Sequence, residues 1–208
     1  MEEGYVKYSA EHTAAPPFVI PHWAELNEAR TQLHKVGLIG ALPNGVGFGN
    51  LSIRYQGNEF LITGTATGAL PVLDVGKYCL VRSFDLKQNH VVTAGPVGAS
   101  AESMSHGVIY RASPGVNCVI HTHSRKIFDG MIQSNKVSTD SYPATPESAS
   151  YGSPEIALAI EKCVHDLGKN EGQIVMLGHD EGVITFGPTI ERALFLTQEL
   201  YDKYSPDK

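Results

Sequence analysis

Val119-Ile120-His121-Thr122-His123-Ser124 reads as an apolar β-strand that ends in two imidazoles. Side chains two apart on a strand leave the same face, roughly 6.6 Å apart at a rise of about 3.3 Å per residue, so both rings can converge on one cation. Histidine is the commonest neutral ligand of first-row metals. Taken alone, an H-x-H more often places one ring in a polar niche and the other in solvent. The surrounding chain reverses that balance.

Upstream of this strand, Gly98-Ala99-Ser100 leads into a helix expected from about 101 to 112, with Met104, Val108 and Ala112 as its apolar ridge and Ser113-Pro114-Gly115 as its stop. Further upstream, the glycine-dense turn Gly45-Val46-Gly47-Phe48-Gly49-Asn50 precedes the alternating strand Leu51-Ser52-Ile53-Arg54-Tyr55. Gln56-Gly57-Asn58 then turns into a second strand over 59–63, a hairpin pattern. Tyr78-Cys79-Leu80-Val81 and His90-Val91-Val92-Thr93 read as further strands. A first helix over 23–36 is marked by Leu26, Ala29, Leu33 and Val36, with Gly37 as its stop.

Downstream, residues 134–151 are rich in Ser, Thr and Pro and read as an active-site loop or lid. Ser153-Pro154-Glu155 starts a helix, with Ser as N-cap and Pro at the first helical position, and Gly168 closes it. Strands over 173–177 and 182–186 bracket Gly178-His179-Asp180-Glu181, and a last helix starts at Pro188. Several strand pairs are joined by turns too short for a parallel crossover. The expected fold is therefore a single three-layer α/β/α domain with a mainly antiparallel central sheet, covered by helices on both faces. Residues 1–22, with Pro16-Pro17 and Pro21, read as an extended N-terminal arm that wraps a neighbouring subunit or stays mobile; residues 23–208 form the domain.

The 208 residues suffice for a sizeable core, and 42% apolar against 18% charged residues places the chain among globular proteins. A net charge of −6 without a Lys/Arg cluster argues against nucleic acid or a membrane surface as partner, which leaves small-molecule chemistry. Cys79, Cys118 and Cys163 are dispersed and odd in number, as reduced packed thiols are, so a metal site here must use His and carboxylate. The start Met1-Glu2-Glu3-Gly4 lacks an apolar leader core and no run reaches about 18 apolar residues; a soluble cytoplasmic protein is the expectation.

Four segments bear on chemistry. Glu102 in Ser100-Ala101-Glu102 falls in the first turn of a helix, where the helix dipole favours an ionised carboxylate; dipole complementation alone explains an isolated Glu there. The His121/His123 pair is the second. His179, in a loop between strands, would complete the three-ligand, open-position arrangement of catalytic zinc, although a lone loop His is usually only an exposed polar residue. The fourth is Gly47-Phe48-Gly49-Asn50 with Thr63-Gly64-Thr65, where backbone N–H groups and Asn or Thr side chains can meet an anion. His106 can orient Glu102 from one turn along the helix, but a partly buried structural His is the simpler reading, and Arg54 reads as solvated.

In order and context these segments resemble the class II aldolase/adducin family, in its fuculose-phosphate aldolase-like, zinc-dependent members. The matching elements are Gly49-Asn50-Leu51-Ser52, Leu61-Ile62-Thr63-Gly64-Thr65, Ser100-Ala101-Glu102, the continuous run from Tyr110-Arg111 through Pro114 to His121-Thr122-His123-Ser124, and Val183-Ile184-Thr185-Phe186-Gly187 with Glu191-Arg192-Ala193. The resemblance covers roughly residues 24–203. It implies a class II aldolase-like fold, a homotetramer with active sites between subunits, and a divalent metal, usually Zn2+, held by three histidines. His121 and His123 take the first two ligand positions. For the third, the family's His directly precedes Gly, whereas this chain reads His179-Asp180-Glu181-Gly182, so His179, Asp180 and Glu181 all remain open; His179 is favoured because a carboxylate would make a harder, more negative site.

By the same resemblance Glu102 is the acid/base carboxylate, and Gly49, Asn50, Thr65 and Ser100 bind substrate. The epimerase branch tends to carry Asp at this place, so Glu102 leans toward aldol chemistry, in which the metal stabilises the enediolate left by C–C cleavage. Phosphate-binding members usually show Ser-Ser-Glu and a Ser/Thr-Gly pair; here Ala101 and Ala66 stand instead, with no Lys or Arg evident nearby, which brings a non-phosphorylated hydroxy-carbonyl substrate into consideration beside a sugar phosphate. A catalytic tyrosine lent by a neighbouring subunit has Tyr142 and Tyr151 as candidates. The expected function is (retro-)aldol cleavage of a small hydroxy-ketone or sugar phosphate. The alternatives are an epimerase, dehydratase or decarboxylase on the same site, or a non-catalytic adducin-like binding module. Glu102, His121 and His123 together speak against the last.

Overall fold

Cys118–His123, the strand that carries the H-x-H, is buried along its whole length and lies inside a sheet of nine strands among the described residues. The computed structural model describes residues 6–137 and 141–205. Along them run β1 (Ser9–Ala14), α1 (Trp23–Lys35), β2 (Gly40–Ala41), β3 (Gly47–Phe48), β4 (Asn50–Arg54), β5 (Phe60–Thr63), β6 (Tyr78–Asp85), β7 (His90–Gly95), α2 (Ser103–Ala112) and β8 (Cys118–His123). There follow α3 (Arg125–Val137), β9 (Ala144–Thr145), α4 (Pro154–Leu167), β10 (Gly172–Met176), β11 (Gly182–Gly187) and α5 (Ile190–Tyr204).

The sheet order is β1-β7-β6-β5-β4-β8-β11-β10-β9, and β2 and β3 form a separate small ribbon. Its pairings are antiparallel except at the two edges, where β1 runs parallel to β7 and β9 parallel to β10. Alternation sorts the side chains into two cores. Phe60, Ile62, Val119, Ile184 and Phe186 pack with residues of α2 and α4 on one face. Leu51, Ile53, Leu61, Cys118, Ile120 and Val183 pack with residues of α1, α3 and α5 on the other. The three-layer α/β/α arrangement and mainly antiparallel sheet expected from the sequence are thus present.

Helix ends follow local chemistry. Ser153 Oγ accepts the Ile156 N–H before α4, Pro154 opens that helix, and Gly168 closes it in the left-handed region. Two stretches differ from the sequence reading. Ser9–Ala14, inside the expected arm, joins the sheet as β1; all six residues are exposed, so no apolar alternation marks the strand. The helix α3 goes unmarked in the sequence and takes in 134–137, the start of the expected loop; residues 138–140 lie outside the described residues. Gly130 sits in its middle, where a glycine costs about 1 kcal/mol relative to alanine. Its absent Cβ makes room for α5, since that atom would fall 2.2 Å from the Tyr204 ring.

The face of β4 toward α2 carries a polar seam through the core. Asn50, Ser52 and Arg54 alternate along the strand, and Glu102, His106 and Tyr110 recur every fourth residue along the helix segment opposite. Asn50 Nδ2 donates to Glu102 Oε2 at 3.5 Å, and Ser52 Oγ lies 2.7 Å from both His106 Nδ1 and the Tyr110 hydroxyl. Arg54 is not the solvated residue expected. Its guanidinium donates to the carbonyls of Val116, Tyr110 and Ser113 at 2.8–2.9 Å and lies over the Tyr110 ring. His106 is fully buried rather than partly so, and burial drives its pKa down to about 3, which keeps the ring neutral.

Candidate metal centre and cleft

The strand alternation that points Val119 into the α2/α4 core carries His121 and His123 to the same face. His179 comes from the turn between β10 and β11, whose backbone closes through His179 N–H to Met176 O and Gly182 N–H to His179 O, each 2.9 Å. Gly178 is required there: a Cβ would lie 1.8 Å from the Ala149 carbonyl oxygen, so only glycine lets this turn seat against the 146–151 segment. The three Nε2 atoms converge at 3.0 Å (His121 to His123), 3.1 Å (His123 to His179) and 3.2 Å (His179 to His121).

This donor set fits a divalent cation. Nitrogen ligands at 2.0–2.1 Å in a tetrahedral shell stand roughly 3.3 Å apart, close to the observed separations. His121 Nδ1 lies 3.1 Å from the Val183 carbonyl, an acceptor that fixes the proton on Nδ1 and leaves the Nε2 lone pair for the metal. Burial, aided by the neighbouring imidazoles, holds His123 well below its usual pKa and therefore neutral. Its ring stacks on Phe48 at 5.3 Å between centroids, and that of His179 packs against Tyr151 at 4.5 Å.

Among the three residues left open for the last ligand, His179 is the one brought to the pair. Asp180 and Glu181 turn outward to Arg125 at the start of α3, at 2.5 and 3.2 Å.

Glu102 immediately precedes α2 rather than sitting in its first turn, and it is 3% exposed. Oε2 lies 2.7 Å from His121 Nε2, and Oε1 lies 3.5 Å from His179 Nε2. Burial alone would raise its pKa, but positive charge at the three-imidazole centre opposes this and holds the carboxyl well below its ordinary value, ionised. Among the described residues Glu102 Oε1 and Asn50 Oδ1 are buried without a hydrogen-bond partner, and both line the cleft. Acceptor-only atoms gathered in this way suit a cation or a substrate donor.

The cleft opens beside the three imidazoles and Glu102. Gly49, Asn50, Thr65 and Ser100, the four substrate-binding candidates, all lie on its wall. Gly49 has φ +77°, and a Cβ there would stand 2.8 Å from Ile39. One donor expected to face a ligand is already engaged: Thr65 N–H donates to Gly98 O at 2.9 Å; on the same wall Thr67 Oγ donates to Gly64 O at 2.8 Å. Tyr151 lines the cleft, whereas the Tyr142 hydroxyl accepts from Lys203 and Tyr204 elsewhere.

One residue that shapes this wall escapes the sequence reading. Arg30 of α1 is 1% exposed, and its guanidinium donates to the carbonyls of Thr67, Gly68 and Pro71 at 3.0–3.1 Å and also to that of Leu70. An arginine on an amphipathic helix ordinarily reads as solvated. Replacing it with Ala should cost about 2–4 kcal/mol in chemical denaturation, because several buried carbonyls lose a charged donor. Arg30→Lys should recover less than half, since an ammonium lacks the planar fork. Full recovery by Lys would show that charge alone holds the loop.

Against known proteins, residues 43–202 match the family described as Class II Aldolase and Adducin N-terminal domain. A 5-methylthioribulose-1-phosphate/5-deoxyribulose-1-phosphate aldolase of Escherichia coli is 30% identical over 118 residues, 50% of this chain; the match spans about half of that relative, 52% of its length. An L-fuculose phosphate aldolase of Methanococcus maripaludis is 29% identical over 160 residues, covering 73% of this chain and 79% of the relative. The crystal structure of L-fuculose-1-phosphate aldolase from Thermus thermophilus shares the fold, with a TM-score of 0.64 at 20% identity over 88% of this chain and 91% of that one. The fold is that of a class II aldolase-type domain. The chain belongs to the class II aldolase/adducin family.

Proposed function

We propose that this protein is a divalent-metal-dependent lyase that breaks or makes a C–C bond beside the carbonyl of a small hydroxy-ketone or sugar phosphate. The observation that carries this reading is the convergence of three imidazole Nε2 atoms within 3.0–3.2 Å beside the buried Glu102 carboxyl, 2.7 Å from His121 Nε2. His121, His123 and His179 hold the cation, and an all-nitrogen set with an open position suits Zn2+. When bound, the metal supplies Lewis acidity to the substrate's carbonyl and adjacent hydroxyl oxygens.

The chain's own groups do the rest. In the synthetic direction Glu102 takes a proton from the carbon next to the carbonyl, the electron pair left there forms the new bond to the aldehyde carbon, and the aldehyde oxygen takes up a proton from solvent to become the new hydroxyl. In cleavage that hydroxyl gives its proton to solvent as the C–C bond breaks and the aldehyde leaves, the bonding pair stays on the carbon next to the carbonyl, and Glu102 returns the proton there. Asn50 holds one Glu102 oxygen, while Phe48 and Tyr151 wall off water beside the imidazoles. Gly49, Thr65 and Ser100 meet the polar end of the substrate. No Lys or Arg lines the cleft among the described residues, which favours a non-phosphorylated substrate or one whose anion is met by backbone N–H groups.

The reading extends to a cytoplasmic homotetramer with sites between adjacent subunits, as the family resemblance implies; light scattering tests the assembly. No helix of the described residues is long and apolar enough to cross a membrane. Protein purified without added metal should contain about one zinc-like ion per chain by elemental analysis. It should release an aldehyde from at least one substrate in a retro-aldol screen of phosphorylated and free hydroxy-ketones. Epimerised, dehydrated or decarboxylated product without aldehyde would assign the same cleft to that other chemistry. Failure to retain metal after reconstitution would favour a binding module.

A further inference from the structure

The family match begins at residue 43, yet two residues far upstream of it contact residues of the cleft wall from behind. Tyr8 is buried, and its hydroxyl donates to Ser100 O at 2.8 Å, with Ala99 O at 3.3 Å. Burial raises the phenol's pKa to about 12, so it remains a donor. Tyr8 directly precedes β1, which is paired along its length to β7, and this anchors the backbone of its neighbour. From there Lys7 Nζ donates to the Tyr151 carbonyl at 2.9 Å and lies 4.9 Å from the centre of the Tyr151 ring. Gly152 follows with φ +67°, and a Cβ there would stand 3.3 Å from the Lys7 stem. Tyr151 N–H donates to Gly178 O at 3.2 Å, one residue before His179, and its ring packs on the His179 ring.

We infer that Lys7 is a positioning residue for the metal centre: it fixes Tyr151 by its carbonyl and its ring face, and Tyr151 in turn fixes His179, with Tyr8 as the anchor. The inference rests on the reading of His179 as a metal ligand. Physically, a ring that must swing into place on binding lowers affinity, and partners that orient a ligand from behind commonly matter about 10- to 100-fold. An ammonium on an exposed residue, acting through one intervening residue, should matter less, about three- to tenfold.

The test is titration of metal-free protein with Co2+ alone, followed by its visible absorption. Lys7→Met, which keeps the stem and removes the charge, is expected to weaken Co2+ about three- to tenfold, and Lys7→Arg to restore most of it. In a Tyr151→Leu background, Lys7→Met should add no further loss. Unchanged Co2+ affinity in Lys7→Met, or an equal loss in both backgrounds, overturns the inference. Wild-type protein that fails to bind Co2+ overturns instead the metal-centre reading beneath it.

Discussion

Replacing His123 with alanine is expected to weaken divalent-metal binding by about a hundredfold or more, because a four-ligand zinc site is worth roughly 10–16 kcal/mol and one ligand's share is about 3 kcal/mol. His123 Nε2 is the nitrogen nearest both others, 3.0 Å from His121 and 3.1 Å from His179. Two imidazoles would remain, too few to fix coordination number and leave a shaped open position. Added Zn2+ should raise the unfolding temperature of wild-type protein, since a ligand that binds only the folded state stabilises it in proportion to RT ln(1 + [L]/Kd). In His123→Ala that rise should vanish at the same metal concentration. Elemental analysis after dialysis gives an independent check, and a variant that still carries one ion per chain would remove His123 from the shell.

Glu102→Gln is expected to keep the metal and lose turnover by about 10²- to 10⁴-fold, the usual contribution of a positioned general acid/base. The change is isosteric and the three imidazoles stay in place, so metal content should match wild type. What disappears is the capacity to take and return a proton, which an amide lacks. The loss should fall mainly on kcat, because the group acts on the reacting carbon and not on the remainder of the substrate. Turnover within about tenfold of wild type would exclude Glu102 as the base, given that expected range. Metal loss in this variant would mean instead that Glu102 Oε2, 2.7 Å from His121 Nε2, is needed to hold the ion.

These two residues differ in how far the chain alone reveals them. Placing His121 and His123 on one face requires only the two-residue period of a strand, so the pair can be read from Val119-Ile120-His121-Thr122-His123. The two-core sheet is equally local, since each strand's alternation and each short turn constrain it. The ends of α4 follow from Ser153, Pro154 and Gly168. Glu102 can be placed at the start of a helix, but its burial and its 2.7 Å approach to His121 depend on how α2 packs over β4 and β8.

Long-range geometry supplied the remainder. Between His179, Asp180 and Glu181 the sequence favours the imidazole only on donor softness; in the fold Arg125, 55 and 56 residues away, draws both carboxylates outward. Arg54 reads as solvated and Arg30 carries no signal in the sequence; only packing brings together the carbonyls that hold the buried Arg30 guanidinium and the half-buried Arg54 one. The helix α3 carries a glycine in its middle, a local cost offset by the contact with Tyr204 that the missing Cβ allows. The strand β1 has no buried face to imprint a pattern, because what holds it is backbone pairing to β7. Periodicity and turn chemistry therefore determined the architecture and the first two imidazoles, as these are written in neighbouring residues. The third imidazole, the buried carboxylate and the clasp at Lys7 were decided by tertiary structure, because each depends on contacts between segments distant along the chain.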